Sequence, residues 1–173
     1  MITLLVNENN PLSQSFYTEL IEDLQFCQFD CPKCKCTGCF VIHGYYRRTV
    51  TTGINSVSIR ILRIKCTSCS KTQSILTSQM VPYSQIALST QVKIIEEVEN
   101  KSSYSSIEAR LSISLFCINH IISNYYKYWK QMSLIASLDF SNLSRLSQQS
   151  FANYSLQFMQ IRNTANSLWV NTT

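Results

Sequence analysis

The chain has 173 residues, of which 45% are hydrophobic, and a formal net charge of +5. This apolar content suffices for a packed core and excludes a disordered chain, while three glycines and three prolines exclude a linker-dominated one. No apolar run approaches the roughly 20 residues that a membrane helix needs, and the N-terminus lacks the positive start of a signal peptide. We therefore expect an intracellular, cytoplasmic protein with no membrane partner.

The positive charge is concentrated in one segment. No acidic residue occurs between Asp30 and Glu96, whereas basic residues recur throughout that segment. They are Lys33, Lys35, Arg47, Arg48, Arg60, Arg63, Lys65, Lys71 and Lys93. A charge run is usually a solvated face, but an acid-free segment of this length favours a polyanionic partner such as nucleic acid.

The first 80 residues predict an N-terminal helix and then a β-rich region. In residues 1–26 a strand or coil precedes a helix, with Asn10 as the cap and Pro11 at the first helical position. Residues 27–80 contain runs of β-branched and aromatic residues, of which the first two are expected to pair as a hairpin. The predicted strands cover residues 40–50, 57–65 and a short stretch near 72–76.

Two Cys-x-x-Cys motifs flank the predicted hairpin, Cys31-Pro-Lys-Cys34 and Cys66-Thr-Ser-Cys69. Structural zinc takes four ligands in a tetrahedron, and a spacer of two residues lets one tight turn aim two thiolates at one ion. A hairpin brings two such turns together. The sequence therefore predicts a zinc ribbon, with Zn²⁺ as the cofactor and Cys31, Cys34, Cys66 and Cys69 as its ligands.

A third motif, Cys36-Thr-Gly-Cys39, leaves alternatives for the first half of the site. It leads directly into the first strand and could replace Cys31 and Cys34, and a mixed set or a second metal also remains open. The proline after Cys31 stiffens that turn and favours the first motif. A redox dithiol is the competing use of Cys-x-x-Cys, although one pair would suffice for it.

The pattern becomes helical after a connector over residues 81–88. We predict one helix over 89–100, then a short helix that starts with a capping box of Ser105 and Glu108, and then a long third helix to about residue 131. The second and third helices resemble a helix-turn-helix in their lengths and in the short break between them. Patterns of this kind also arise in ordinary helical bundles.

The predicted helix-turn-helix has an inner set of residues, which pack in the core, and an outer set, which could contact DNA. Ile107, Leu111 and Ile113 are expected in the core around the turn before it. The outer face carries residues suited to base edges or phosphates, namely Asn119, His120, Ser123 and Lys127.

The expected fold class is α+β, with a small β zinc ribbon followed by a helix-turn-helix-like helical domain. The domains are an N-terminal helix (1–26), the ribbon (27–80), the helical domain (81–132) and a C-terminal extension (133–173). The extension is rich in Ser, Asn and Gln, and we predict one helix in it, near residues 139–160.

The stretches CPKC, FVIHGYYRR, SIRILRIKCTSCSKTQSIL and VPYSQIAL carry a family resemblance over about residues 27–132. The chain resembles an uncharacterised bacterial domain family associated with transposons, and is similar to the zinc-ribbon and helix-turn-helix N-termini of insertion-sequence transposases. The resemblance implies DNA binding in a mobile element. Family members often have glycine or another residue at positions 36 and 39, so it favours the other two cysteine pairs as ligands.

Catalysis is not expected. Transposases of this kind cut DNA with spaced carboxylates that hold two metal ions, and after Glu108 the only acidic residue is Asp139. A closed four-cysteine zinc site also has no open position for water. The chain is therefore expected to be a non-enzymatic recognition module.

These features together predict a zinc-dependent DNA-binding protein of a mobile element, without the catalytic domain of a transposase. Its partner would be double-stranded DNA, and the phosphate contacts would come from Arg47, Arg48, Arg60, Arg63 and Lys65. The alternative is a zinc-ribbon module that binds RNA or another protein, such as a transposase subunit.

Overall fold

The computed structural model of the chain describes residues 1–131 and 140–160, which combine a four-stranded sheet with a group of helices. The strands are β1 (Ile2–Leu4), β2 (Phe40–Thr52), β3 (Asn55–Cys66) and β4 (Thr72–Thr77). The helices are α1 (Gln14–Glu22), α2 (Leu88–Glu99), α3 (Tyr104–Leu111), α4 (Leu115–Asn124) and α5 (Leu143–Tyr154). The predicted α+β class is confirmed. None of the described helices is both long enough and apolar enough to span a membrane.

β2 and β3 form the long hairpin that the sequence predicts. Their register runs from Phe40 opposite Cys66 to Thr52 opposite Asn55. Gly53 has a φ of +66° in the tight turn between them, a conformation that favours glycine. β4 pairs antiparallel with β3, and β1 pairs parallel with β4, which gives the strand order β1-β4-β3-β2. The N-terminal strand therefore shares one sheet with the cysteine-flanked hairpin.

α1 begins later than the sequence predicts. Ser13 caps it by accepting the Phe16 N–H at 3.2 Å. Asn10, the predicted cap, lies instead in a preceding turn and donates its backbone N–H to the Asn7 carbonyl oxygen at 3.0 Å. The expected cap at Asn10 is therefore wrong, because this local turn and Ser13 together set the start of the helix.

The predicted capping box of α3 is also wrong. Ser103 caps the helix by accepting the Ser106 N–H, so Ser105 lies within the first turn. The Glu108 carboxylate accepts the backbone N–H of Leu115 at 3.1 Å, at the start of the next helix. Glu108 thus joins two helices where the sequence pattern had suggested a local cap.

The helices enclose the larger apolar core. The predicted core residues Ile107, Leu111 and Ile113 are all buried in it. α4 continues through a π-helical turn, Tyr125–Trp129, and α5 adds the buried Leu146. The helix predicted near 139–160 is thus found as the shorter α5, and residues 133–139 and 161–173 of the C-terminal extension lie outside the described residues.

A buried tyrosine joins α1 to the sheet. The Tyr17 hydroxyl donates to the Ile75 carbonyl oxygen at 2.9 Å and accepts the Leu62 N–H at 3.0 Å. Pairing between β3 and β4 ends with Arg63 opposite Ser74, so the hydroxyl occupies the next position of the ladder. Burial raises the pKa of Tyr17 to about 12, which keeps the hydroxyl protonated at neutral pH.

We predict that Tyr17→Phe lowers the free energy of unfolding by about 1–3 kcal/mol, because a buried N–H and a buried carbonyl lose their shared partner. Urea denaturation at neutral pH measures this difference. The folded-state pKa of Tyr17 lies above the unfolded value, so its contribution to stability is full at neutral pH and is lost as pH rises through about 10 to 12. The gap between the two proteins should narrow over that range. A variant as stable as the parent at neutral pH would contradict the assignment.

Candidate metal centre and nucleic-acid interface

Four cysteines converge at the open end of the hairpin. The first Cys-x-x-Cys turn precedes β2 and the second follows β3, and the register places Phe40 opposite Cys66. This pairing brings the two turns side by side. The sulfur atoms of the four cysteines all lie within 4.8 Å of one another, and they belong to Cys31, Cys34, Cys66 and Cys69.

The two turns share one backbone conformation. The carbonyl oxygen of Cys31 accepts the N–H of Lys35 at 2.8 Å, and that of Cys66 accepts the N–H of Ser70 at 2.9 Å. The N–H of the first cysteine in each turn also donates to the carbonyl five residues later, at 3.0 and 2.9 Å. Lys35 and Ser70 both adopt a left-handed conformation, with φ of 60° and 59°. Two different spacers, Pro-Lys and Thr-Ser, thus build the same ligand-presenting turn.

The sulfur positions fit a tetrahedral ion. The closest contacts run between the turns, 3.6 Å from Cys31 Sγ to Cys69 Sγ and 3.7 Å from Cys34 Sγ to Cys66 Sγ. A metal with bonds of about 2.3 Å to four sulfurs sets those sulfurs about 3.8 Å apart. The cluster therefore has the ligand number and spacing of a closed structural metal site.

Two of the clustered thiols have pKa values shifted in opposite directions. The Cys34 N–H lowers the pKa of the Cys31 thiol to about 6, in opposition to burial. The Lys71 N–H favours a thiolate at Cys69, but burial and hydrogen bonds with three sulfurs outweigh it and raise the pKa of Cys69 to about 11. The clustered sulfurs are thus hydrogen-bonded to one another through their protons, which a metal ion bound by all four would displace.

The third motif lies outside this cluster. Cys36 and Cys39 are joined to each other as a disulfide, with Cα atoms 6.0 Å apart. The structure thus assembles the preferred ligand set and leaves the alternative pair apart from it.

The cations predicted to bind phosphate divide between the two faces of the hairpin. Side chains alternate along β3, so Arg60 lies on one face while Arg63 and Lys65 lie on the other. Arg47 lies directly opposite Arg60 in the register, and both are exposed. The Arg60 guanidinium also stacks over the Tyr45 ring, 4.3 Å from its centroid. Arg47 and Arg60 therefore form the exposed pair of this set.

Arg48 has a structural contact instead. Its Nη2 donates to the carbonyl oxygens of Val81, at 2.5 Å, and Ser84, at 2.6 Å. These carbonyls belong to the connector, which is predicted over residues 81–88 and in the structure spans 81–87, between the sheet and α2. Arg48 thus fastens the connector to the hairpin through its guanidinium group.

The contact residues predicted on the third helix are all exposed. Asn119, His120 and Ser123 belong to α4, and Lys127 belongs to the π-helical turn that continues it. Ile118, on the inner face of α4, is buried. His120 Nε2 is hydrogen-bonded to the Asn124 amide at 3.0 Å.

Two grooves link this helix to the hairpin. One, of about 480 Å³, lies between the hairpin tip at Gly53 and Ile54, the connector, and α4 at His120. The other, of about 340 Å³, lies between Arg47 and the connector. Tyr83 and the two residues after it line both grooves, and no acidic residue lines either one. The surface from Arg47 to His120 is therefore continuous and free of negative charge along the groove linings.

Two exposed aromatic residues near these elements were not singled out from the sequence. Tyr83 in the connector is 95% exposed, and Phe116 on α4 is 81% exposed. In a sequence, an aromatic residue of an apolar helix predicts core. The phase of α4, in which Ile118, Ile121 and Ile122 face inward, is the signal that places Phe116 outside.

A family model described as a domain of unknown function, DUF6431, matches residues 31–115. The matched segment starts at the first clustered cysteine and ends at the start of α4, so it includes the whole cysteine cluster and the hairpin. Its description names no activity, ligand or partner. No curated protein and no solved structure matches the chain.

We predict one tightly bound metal ion per chain, which elemental analysis of the purified protein will count and identify. Cys31→Ser should lower the affinity by more than about 100-fold, because even partners behind the ligands cost 10- to 100-fold when lost. The matched control is the double variant Cys36→Ser/Cys39→Ser, which should keep the ion. Equal metal content in the two variants would exclude this ligand set.

Proposed function

We propose that this protein binds double-stranded DNA and depends on zinc to do so. The observation that carries the proposal is the continuous surface that joins Arg47, the connector and His120 with no acidic residue along its grooves. Phosphate contacts supply most of the affinity in such complexes, so acid-free grooves beside the exposed Arg47 match this partner.

Zinc is the metal that fits the proposal. Four thiolates at tetrahedral spacing suit Zn²⁺, and iron is the other ion that uses such a site. Zinc bound by Cys31, Cys34, Cys66 and Cys69 would tie the start of β2 to the end of β3 and complete a zinc ribbon. Its role would be structural, because all four ligand positions belong to the protein.

α3 and α4 would act as a helix-turn-helix. They are joined by residues 112–114, with Ser112 in a left-handed conformation and Ile113 buried beneath the turn. In that motif the second helix enters the major groove with its N-terminal part toward the bases. Asn119 and Ser123 would then contact base edges, and Lys127 a phosphate.

The proposed role is recognition rather than cleavage. The chain would mark a DNA site for another protein, such as a transposase subunit, in keeping with the family resemblance of its ribbon and helices. The exposed Tyr83 and Phe116 favour a second candidate, a module that docks on a protein or on RNA, since aromatic side chains are frequent in both kinds of contact.

We expect fluorescence anisotropy on random duplex DNA to show binding that weakens steeply with salt and is lost on chelation. The variant Arg47→Ala/Arg60→Ala should bind all sequences more weakly and reduce the slope of log K against log salt by about 2, or about 0.9 for each lost phosphate contact. Lys101→Ala removes an exposed cation from the α2–α3 turn and serves as the control. A double variant that behaves like Lys101→Ala would remove the hairpin from the interface.

We expect selection from a random DNA pool to give a consensus with the parent protein and an altered one with Asn119→Ala. A lost base contact costs about 1–3 kcal/mol of discrimination at one position, whereas the salt slope should stay unchanged. The same consensus from both proteins would mean that Asn119 does not read a base. Preferential binding of single-stranded RNA over the duplex would favour the second candidate.

A further inference from the structure

The Cys36-Thr-Gly-Cys39 segment lies between the two metal-binding turns without supplying a ligand to them. The Cys36 carbonyl oxygen accepts the N–H of Cys31, in the first turn, at 3.0 Å. The Cys39 carbonyl oxygen accepts the N–H of Thr67, in the second turn, at 2.7 Å and its hydroxyl at 3.1 Å. The segment is thus fastened at both ends by groups other than its own sulfurs.

The backbone within the segment is fixed as well. The Thr37 hydroxyl donates to the Asp30 carboxylate at 2.6 Å, and the Gly38 N–H donates to the Phe29 carbonyl oxygen at 3.1 Å. Gly38 has a φ of +69°, and a Cβ there would lie 3.2 Å from the Cys27 carbonyl oxygen. These contacts do not involve the sulfurs of the pair, so they hold the two cysteines close whether the sulfurs are bonded or not. Formation of the Cys36–Cys39 disulfide is therefore favoured by proximity.

The pair also differs from the other cysteines in its exposure, its contacts and its pairing. Both cysteines are half-exposed, so a small reagent can reach them. Their sulfurs lie 3.8 and 3.4 Å from one carbonyl oxygen, that of Thr37, to which the two thiols can donate when reduced. In the described part of the chain, Cys27 and Cys117 have no disulfide partner. The remaining four cysteines form the cluster that could hold a metal ion.

We propose that Cys36 and Cys39 form a second thiol site, independent of the metal centre, which is reversibly oxidised by small disulfides such as glutathione disulfide. One thiolate attacks the glutathione disulfide, forms a mixed disulfide and releases one glutathione thiol. The second thiolate attacks the protein sulfur of the mixed disulfide, closes the Cys36–Cys39 bond and releases the second glutathione. The protein loses two electrons and two protons, and one glutathione disulfide becomes two thiols. Excess glutathione reverses both steps.

The test uses the full, metal-loaded chain equilibrated with glutathione buffers from fully reducing to oxidising. After an acid quench and alkylation of free thiols, trypsin cuts behind Lys35 and Arg47 and releases the peptide CTGCFVIHGYYR. This peptide contains both cysteines of the pair and no other, so its mass reports their state directly. Metal content is measured on the same samples before the quench.

The expected result is one two-electron transition, from a doubly alkylated peptide to an unalkylated one. The unalkylated peptide should be two hydrogens lighter than the free dithiol, and the metal content should stay constant throughout. Cys36→Ser should instead hold one glutathione on Cys39, as should the unpaired Cys27 in the parent chain. A pair that remains alkylatable at every ratio, or that accumulates stable glutathione adducts, would overturn the proposal. So would loss of the metal in step with the oxidation, because the site would then not be independent. None of these outcomes depends on DNA binding.

Discussion

The convergence of four thiols at the open end of one hairpin is the constraint on which the cysteine-bearing half of the molecule depends. The register of β2 and β3 sets it, since Phe40 opposite Cys66 leaves each Cys-x-x-Cys turn just beyond the last pair. Cys31 and Cys66 are also part of an apolar cluster with Leu62 and Ile64. Burial of these two cysteines therefore accompanies the approach of the turns, and a metal ion bound there would contribute directly to the free energy of folding.

The features that could be predicted from the sequence are those encoded by near neighbours. Two-residue spacing predicts a turn that presents two thiolates, alternation predicts the strands, and the helix-turn-helix pattern predicts Ile107, Leu111 and Ile113 as core around the turn. Features set by distant contacts escaped prediction. The start of α1 depends on the turn at Asn10, and the partner of Glu108 is Leu115 rather than its own helix end. No sequence pattern shows that Arg48 faces two connector carbonyls while Arg47 faces solvent.

The arginines of the hairpin show how one charge pattern can serve two purposes. Arg48 is hydrogen-bonded to the connector and holds it beside the hairpin. This contact shapes the groove that Arg47 lines. The connector in turn carries the chain from the sheet into α2 and borders the groove of α4. The partly buried contact of Arg48 thus determines what surrounds the exposed charge of Arg47.

The two Cys-x-x-Cys turns share a backbone conformation, but their second cysteines are more exposed than their first. Cys31 and Cys66 are fully buried, whereas Cys34 is exposed and Cys69 only partly covered. A competing thiol or chelator would therefore reach an ion held by these cysteines from the side of Cys34 and Cys69. Two of the four ligands would thus be shielded by the core while the other two face solvent. The ease with which such an ion exchanges would then depend on access at this one edge as well as on the strength of the bonds.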